Sequence, residues 1–409
     1  MKPILAIETS TSTATVALLT EQSDTTRVYT QQVQGVRGHA ESLLPMIDAV
    51  LDEAGLAREQ IGLIAVGQGP GAFTGIRLAC SVSQAIAFAQ SLPVVPVNAL
   101  QAVAAAVDPQ QPGIRLVALD ARMGEVYFGV YSSQGTRLQR PILLAATDVC
   151  RYITPRLPYW RRGVGSNDPA RLEGEGWQVI APKLQDPEWL ALEVIEGDIS
   201  ARPKADVIAR VAQLAWHAGA TLRPEQALPL YLRDRVAYTT EERSQGLGGN
   251  PKVAASSDEF VFPMMPLDIP HVEQLERRSQ AFPWTARNFQ DALSVGYPAW
   301  VVRREGQLVG FCVGMPTPDD VHLLVIAVDP DSRRQGVGRR LLEEVYFLTQ
   351  ELGLSRVLLE VRHSNERAIR FYQKQGFAQI GLRKGYYPAA KGQREDAMVM
   401  AVDLAQRQV

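Results

Sequence analysis

Between Thr239 and Asp258 the chain reads TTEERSQGLGGNPKVAASSD, a mostly polar run of twenty residues with three glycines, a proline and no sustained apolar period. A segment of that composition cannot be part of a packed core. A chain of 409 residues exceeds one ordinary domain. The sequence therefore divides into a first unit at 1–238, a flexible linker at 239–258 and a second unit at 259–409. With 46% hydrophobic residues on a charge of -2, both units have apolar content for a core, and neither is a basic polyelectrolyte built for unassisted nucleic-acid binding. Cys80, Cys150 and Cys312 form no CxxC pair, so neither a disulfide framework nor a zinc site is expected, and a reducing cytoplasm fits. The opening apolar run reaches Glu8 too soon for a signal peptide, and no stretch is long enough to span a membrane.

The first unit alternates strand and helix signals. Pro3 to Ile7 is apolar, breaks at Glu8-Thr9-Ser10-Thr11-Ser12, and resumes from Ala14 to Leu19, a hairpin pattern. Apolar residues at Leu43, Leu44, Ile47, Val50 and Leu51 predict a helix from His39 that stops at Gly55. A strand over Ile61–Val66 leads into the Gly-rich turn Gly67–Gly75 and a helix from Ile76 to Gln90. The opening plan then repeats. Leu116 to Tyr131 is again an apolar strand ending in a carboxylate, a turn and a second strand, with Asp120 following Glu8 at a domain-sized interval. Two such lobes are the plan of the actin-like ATPases and sugar kinases.

In the second unit, helices are expected over Ile269–Gln280, Ala286–Leu293, Gly338–Leu352 and Asn365–Gln375. Strands are expected at Trp300–Val302, Leu308–Val313, Val321–Val328, Arg356–Val361 and Ala397–Val402. Between the strand at Val328 and the next helix lies Arg333-Arg334-Gln335-Gly336-Val337-Gly338-Arg339. Glycines there permit a tight turn whose N–H groups converge at a helix start, a cradle for pyrophosphate; a bare Gly-x-Gly is equally often an ordinary turn.

Longer strings narrow the second unit. Ile326-Ala327-Val328-Asp329-Pro330 followed by RRQGVGRRLL resembles the acetyl-CoA signature of the GNAT acetyltransferases, a mixed α/β fold. Leu359–Asn365 and Ala368–Phe377 resemble the next block of that superfamily. Ala281-Phe282-Pro283-Trp284, Arg383–Pro388 and Glu395-Asp396-Ala397 resemble the RimI family, which acetylates the N-terminal alanine of a small-subunit ribosomal protein. The resemblance implies acetyl-CoA as cofactor. Ile326, Ala327 and Val328 would pair with its pantetheine arm. Arg334, Gln335, Gly336, Val337, Gly338 and Arg339 would hold the pyrophosphate, and Asn365 would bond the cofactor. Glu360 would be the general base and Tyr372 the general acid. Trp284, Tyr386 and Tyr387 would shape the acceptor slot, the two tyrosines from a loop. A carboxylate at the end of an apolar strand and a Tyr hydroxyl are chemically suited to taking the ammonium proton and protonating the departing thiolate. A lysine or small-amine acetyltransferase is the alternative.

In the first unit, Ala6–Ser10, Gly69–Arg77, Asp120–Tyr127 and Pro229-Leu230-Tyr231-Leu232-Arg233 resemble the TsaB family. That implies duplicated actin-like (ASKHA, ribonuclease H-like) lobes. They would act as a non-catalytic partner of a TsaD-like paralogue and a TsaE-like ATPase in tRNA threonylcarbamoyladenosine modification. Contact with tRNA would be indirect, and a homodimer through this unit is possible. His39 is followed four residues on by Leu43, so the paired-histidine metal site of the catalytic paralogue is not expected; His39 is expected on the surface at a helix start, and Arg77 as an anchor beneath the Gly-rich turn. No metal site is expected elsewhere. An active ATPase or sugar kinase is the alternative for this unit.

Overall fold

The computed structural model describes residues 2–22, 25–35, 38–181, 184, 186–233, 259–304, 306–389 and 393–404; the linker expected at 239–258 lies outside them. Contacts group the chain into two compact units, Met1–Ala255 and Ser256–Val409. Among the described residues no helix is long and apolar enough to cross a membrane, and all three cysteines are buried without a disulfide.

The first unit contains the same sheet twice. Strands β1 (Ile4–Glu8), β2 (Thr13–Gln22), β3 (Thr25–Gln34), β4 (Leu63–Gly69) and β5 (Val94–Asn98) lie in the order β3-β2-β1-β4-β5. Strands β6 (Ile114–Arg122), β7 (Glu125–Ser132), β8 (Arg137–Ala145), β9 (Ala170–Glu173) and β10 (Val194–Glu196) lie in the order β10-β9-β6-β7-β8. Each sheet is thus a meander of three antiparallel strands extended by two parallel ones. The repeat of a carboxylate after an apolar strand is the sequence trace of this duplication.

The helix His39–Ala54 covers one face of the first sheet, with Leu43, Ile47, Val50 and Leu51 packed against Leu5, Ile7, Val16, Leu18 and Val66. Fully burying such a side chain contributes about 1.5–3 kcal/mol. Gly55 ends this helix in the left-handed conformation (φ 65°), its N–H donating to Asp52 and that of Leu56 to Leu51. Helix Ala205–His217 covers the opposite face through Ala205, Ile208, Ala209 and Ala212.

The second unit is a seven-stranded sheet. Strands β11 (Glu259–Pro263), β12 (Ala299–Arg304), β13 (Gln307–Pro316), β14 (Val321–Val328), β15 (Arg356–Arg362), β16 (Ala378–Pro388) and β17 (Arg394–Asp403) lie in the order β11-β12-β13-β14-β15-β17-β16. Every neighbouring pair is antiparallel except β14 and β15. That parallel pairing covers only Val321↔Val357, His322↔Leu358 and Leu323↔Leu359. From Leu324 to Val328, β14 keeps β13 on one side and has no strand registered on the other. The sheet therefore forks between its two central strands. Helix Val337–Glu351 seals one face of it with Leu341, Leu342 and Val345 against Val302, Val321, Leu323, Val357 and Leu359.

Two expectations need correction. Tyr386 and Tyr387 lie on the edge strand β16, not in a loop; the polar, glycine-bearing text of that strand follows from its exposure along most of its length. His39 does begin its helix, but it is buried (2% exposed), not on the surface.

Candidate active site

The fork in the second unit's sheet is where the expected site residues gather. Ile326, Ala327 and Val328 lie where β14 is paired with β13 alone, so the backbone edge on its other side has no strand partner and can receive an extended ligand. The glycine-containing turn stands at the end of this edge. Arg334 (φ 62°) and Gly336 (φ 88°) both adopt left-handed backbone on either side of Gln335. An L-residue such as Arg334 pays roughly 1–2 kcal/mol for that conformation. Gly336 is the N-cap of helix Val337–Glu351 and supplies no side-chain cap, which leaves the N–H groups of the first turn for a ligand. Close packing holds the turn in place. A Cβ on Gly338 would stand 3.1 Å from the Phe371 ring, and one on Gly310 would stand 2.7 Å from Val337 Cγ1.

The side chains of the turn carry positive charge. Arg333 is held below the usual guanidinium range first by burial and then by the like charge of Arg367. Two guanidiniums that repel one another beside a set of free N–H groups suit a polyanionic ligand. Other members are already engaged: Gln335 bonds Arg304 and the Asp331 carbonyl, Arg339 pairs with Glu343 at 3.0 Å, and the Val337 side chain is in the core. Asn365 caps helix Glu366–Lys374, its Oδ1 accepting from Ala368 N–H at 3.2 Å, so its amide NH2 is the part left for a ligand.

Glu360 lies on β15 just past the fork, its side chain 9% exposed. His322 Nε2 stands 2.9 Å from Oε2, and Arg383 stands 3.1 Å from Oε1. Neither approach has the alignment of a full hydrogen bond, so buried Oε1 is held by charge without an aligned donor. The neighbouring His322, and after it Arg383, hold the Glu360 carboxyl below the usual carboxylate range, although burial acts the other way. Tyr372 is buried, its ring packed 5.4 Å from Phe371 and 5.5 Å from Phe377. Burial first, and Tyr387 next, push its phenol well above the ordinary range, so the hydroxyl keeps its proton.

Tyr387 connects the two. Its hydroxyl donates to the Glu360 carbonyl at 3.1 Å, and burial with the Glu360 charge pushes its phenol up to about 12. The Arg362 guanidinium stands 4.5 Å from the Tyr387 ring and 4.9 Å from that of Phe282, tying the 281–284 loop to β15 and β16. Trp284 is placed otherwise: its ring packs 5.3 Å from Phe289, and its backbone N–H donates to Glu276 Oε1 at 3.4 Å. Phe282, not Trp284, therefore shares the cation stack with Tyr387. Sequence reasoning gave no role to His322 or Arg367, and Arg383 entered it only as the first residue of the Arg383–Pro388 string. Each is a polar residue whose relevance comes from a neighbouring strand or helix, and no local spacing announces it.

The first unit has a different character. Glu8 is completely buried, accepts from Ser10 N–H, and is pushed up to about 7 by burial. A Cβ on Gly67 would lie 1.8 Å from its Oε2. A Cβ on Gly71 would collide with Ser10, and one on Gly75 with the Thr9 carbonyl. These glycines allow the chain to pack onto the end of β1, and the space a phosphate would need is filled by protein. Gly165 caps the C-terminal end of helix Leu157–Val164, the wrong pole for an anion. On the exposed side of helix Phe73–Gln90, Arg77 Nε donates to Tyr231 Oη at 2.6 Å, and Arg233 pairs with Glu125 at 2.6 Å, so the 229–233 segment is tied to both lobes.

A mixed sheet forked between parallel strands, with a left-handed turn opening a helix at the fork, defines the second unit as a GNAT-type acetyltransferase; the doubled five-stranded sheet defines the first as actin-like. Comparison with known proteins agrees. The model of the acetyltransferase (GNAT) family matches residues 267–377, and that of TsaD, tRNA N6-adenosine threonylcarbamoyltransferase, matches residues 17–167. The [ribosomal protein bS18]-alanine N-acetyltransferase of Escherichia coli is 37% identical over 34% of this chain and 93% of its own length. The tRNA threonylcarbamoyladenosine biosynthesis protein TsaB of Haemophilus influenzae is 33% identical over 58% of this chain and 95% of its own. An uncharacterized protein of Mycobacterium leprae is 30% identical over 95% of this chain and 97% of its own, so the same two-part arrangement extends through a full-length relative. The chain belongs to the ribosomal-protein-alanine N-acetyltransferase family through its second unit and to the TsaB family through its first. GNAT enzymes take acetyl-CoA as the acetyl donor.

Proposed function

We propose that the second unit transfers an acetyl group to the free α-amino terminus of a protein, the N-terminal alanine of a small-subunit ribosomal protein being the natural acceptor. The observation that carries this reading is the Glu360 carboxylate, largely buried at the mouth of the forked sheet and held ionised between His322 and Arg383. The free edge at Ile326–Val328 fits the amide-bearing pantetheine arm, and the turn at Arg334–Arg339 fits the pyrophosphate. Bound acetyl-CoA supplies an activated thioester carbonyl. Around it the chain's own groups divide the work. Glu360 takes a proton from the α-ammonium, whose ordinary pKa is about 8. Tyr372, held protonated, supplies the proton the departing sulfur requires. Phe282, Tyr386 and Tyr387 wall the approach and restrict it to the first residues of an extended peptide, whereas Trp284 supports that wall from behind. Holding acceptor and donor in one geometry contributes much of the rate.

The first unit, on this reading, is a non-catalytic partner of a TsaD-like enzyme acting with a TsaE-like ATPase in tRNA modification. The protein-filled Gly-rich turn and the enclosed Glu8 support this over an active ATPase or kinase.

A peptide panel tests the first proposal: one sequence with a free N-terminal alanine, the same peptide N-blocked, and an N-blocked peptide with an internal lysine. Turnover confined to the free terminus is expected. Turnover on the lysine peptide at an equal rate overturns the α-amine assignment. For the first unit, reconstituted threonylcarbamoylation with purified TsaD-like and TsaE-like proteins should require this chain. ATP hydrolysis by this chain alone contradicts the non-catalytic role.

A further inference from the structure

We infer that Arg362 is the positioning residue of the acceptor slot: its guanidinium holds the Phe282 loop and the Tyr387 wall in one geometry beside Glu360, and so sets how tightly an acceptor peptide binds. The inference rests on the proposed reading of the fork as the site of a peptide α-amine.

The placement follows from the alternation of β15. Val357, Leu359 and Val361 enter the core with helix Val337–Glu351, so Leu358, Glu360 and Arg362 stand on the opposite face. The parallel pairing with β14 ends at Leu359. Beyond it, Glu360 and Arg362 keep β17 on one side, at Val399 and Ala397, and have no strand registered on the other. Arg362 is thus the next side chain after Glu360 along the opened edge.

Three other segments meet at its guanidinium. From the 281–284 loop comes Phe282, whose ring centre is 4.9 Å away, and from β16 comes Tyr387 at 4.5 Å. Nη1 donates to the Pro388 carbonyl at 2.9 Å and to Glu395 Oε2, on β17, at 3.3 Å. Glu395 is itself anchored, its Oε1 accepting from Ser364 N–H at 2.7 Å. A guanidinium can join such partners because its plane stacks on rings while its edge carries N–H donors; an ammonium has no plane. Burial does little to place Phe282, which is 45% exposed, whereas the Arg362 side chain is only 19% exposed. The stack therefore fixes a loop residue to the sheet. Glu360 does not depend on it, since His322 and Arg383 are the charges that hold that carboxyl low. The acetyl-CoA turn at Arg334–Arg339 lies on other elements. Loss of Arg362 should therefore fall on the acceptor and spare the base and the donor.

The test is steady-state acetylation of a free N-terminal alanine peptide by the full chain, with KM measured separately for peptide and acetyl-CoA. The variants are Arg362→Gln, Arg362→Lys, Phe282→Leu and the Arg362→Gln/Phe282→Leu pair. Arg362→Gln should raise the peptide KM about 10- to 100-fold, with kcat and the KM for acetyl-CoA changed less than about threefold. Arg362→Lys keeps a cation without the plane and should fall between wild type and Arg362→Gln. The double variant should be little worse than Arg362→Gln, because Phe282 is placed through the guanidinium. A wild-type peptide KM in Arg362→Gln overturns the inference while leaving the α-amine reading intact, as does a double variant whose loss is the product of the two single losses. Parallel losses of peptide KM, acetyl-CoA affinity by calorimetry and thermal stability in both Arg362 variants assign the residue to the fold alone and also overturn it. Wild-type turnover confined to an N-blocked lysine peptide overturns the α-amine reading, and the inference with it.

Discussion

Gly336→Ala isolates the backbone contribution of the turn. At φ 88° Gly336 is in the left-handed region, and a Cβ added there meets nothing within 4 Å. The substitution therefore introduces backbone strain without a steric clash. For an L-residue that strain amounts to roughly 1–2 kcal/mol. The free variant can relax by rotating the turn away, whereas binding acetyl-CoA requires the N–H groups to return to the cradle, so the strain opposes binding. With a tenfold change per about 1.4 kcal/mol, the Kd for acetyl-CoA should rise about 5- to 30-fold. Acetyl-pantetheine carries the same thioester and arm but no pyrophosphate, so its affinity should change less than about twofold. Calorimetric titration of both ligands against wild type and Gly336→Ala provides the comparison. Equal losses for the two ligands, or none for acetyl-CoA, would refute the assignment of the turn to the pyrophosphate.

Two further substitutions probe other parts of the account. Glu8 has a folded-state pKa near 7 against an unfolded 4.5, so the folded state binds more protons between these values and stability falls as pH rises through that window. Glu8→Gln keeps an acceptor for Ser10 N–H and removes the titration; chemical denaturation of the first unit should find it more stable by on the order of 2–3 kcal/mol at pH 8 and little changed at pH 4.5. A destabilisation at pH 8 would contradict the burial argument. Asn365→Ala should cost about 1 kcal/mol by removing a helix cap, and Asn365→Asp should restore that stability. If the Asn365 amide NH2 contacts the cofactor, Asn365→Asp should nonetheless raise KM for acetyl-CoA; an unchanged KM assigns Asn365 to the cap alone.

The parts of the structure legible in sequence are those governed by local pattern. The apolar run Val321–Val328 coincides with β14, the periodic Leu43–Leu51 stripe with a buried helix face, and the Glu8/Asp120 echo with a duplicated sheet. Edge strands were hidden because exposure removes the apolar alternation: β3 reads TTRVYTQQVQ and β16 AQIGLRKGYYP. The Gly-rich turn in the first unit has the composition of a phosphate loop, yet its glycines serve close packing on Thr9 and Ser10, a distinction that only the three-dimensional neighbours make. The same holds at the active site. Glu360, Tyr372 and Arg383 stand in recognisable strings and His322 does not, while the contact of His322 and Arg383 with Glu360, which sets its carboxyl low, comes only through the register of β14 and β16 with the rest of the sheet. His39 was misjudged for a related reason, since a polar residue at a helix start is commonly exposed and here the rest of the lobe covers it.

The central claim is that Glu360 and Tyr372 carry out acid–base chemistry on an N-terminal amine at the fork. Single-turnover acetylation of a free N-terminal alanine peptide, with acetyl-CoA pre-bound to wild type, Glu360→Gln and Tyr372→Phe, tests it most directly. The account predicts a loss of about 10²–10⁴-fold in each variant, with acetyl-CoA affinity retained. Wild-type single-turnover rates in either variant would contradict it.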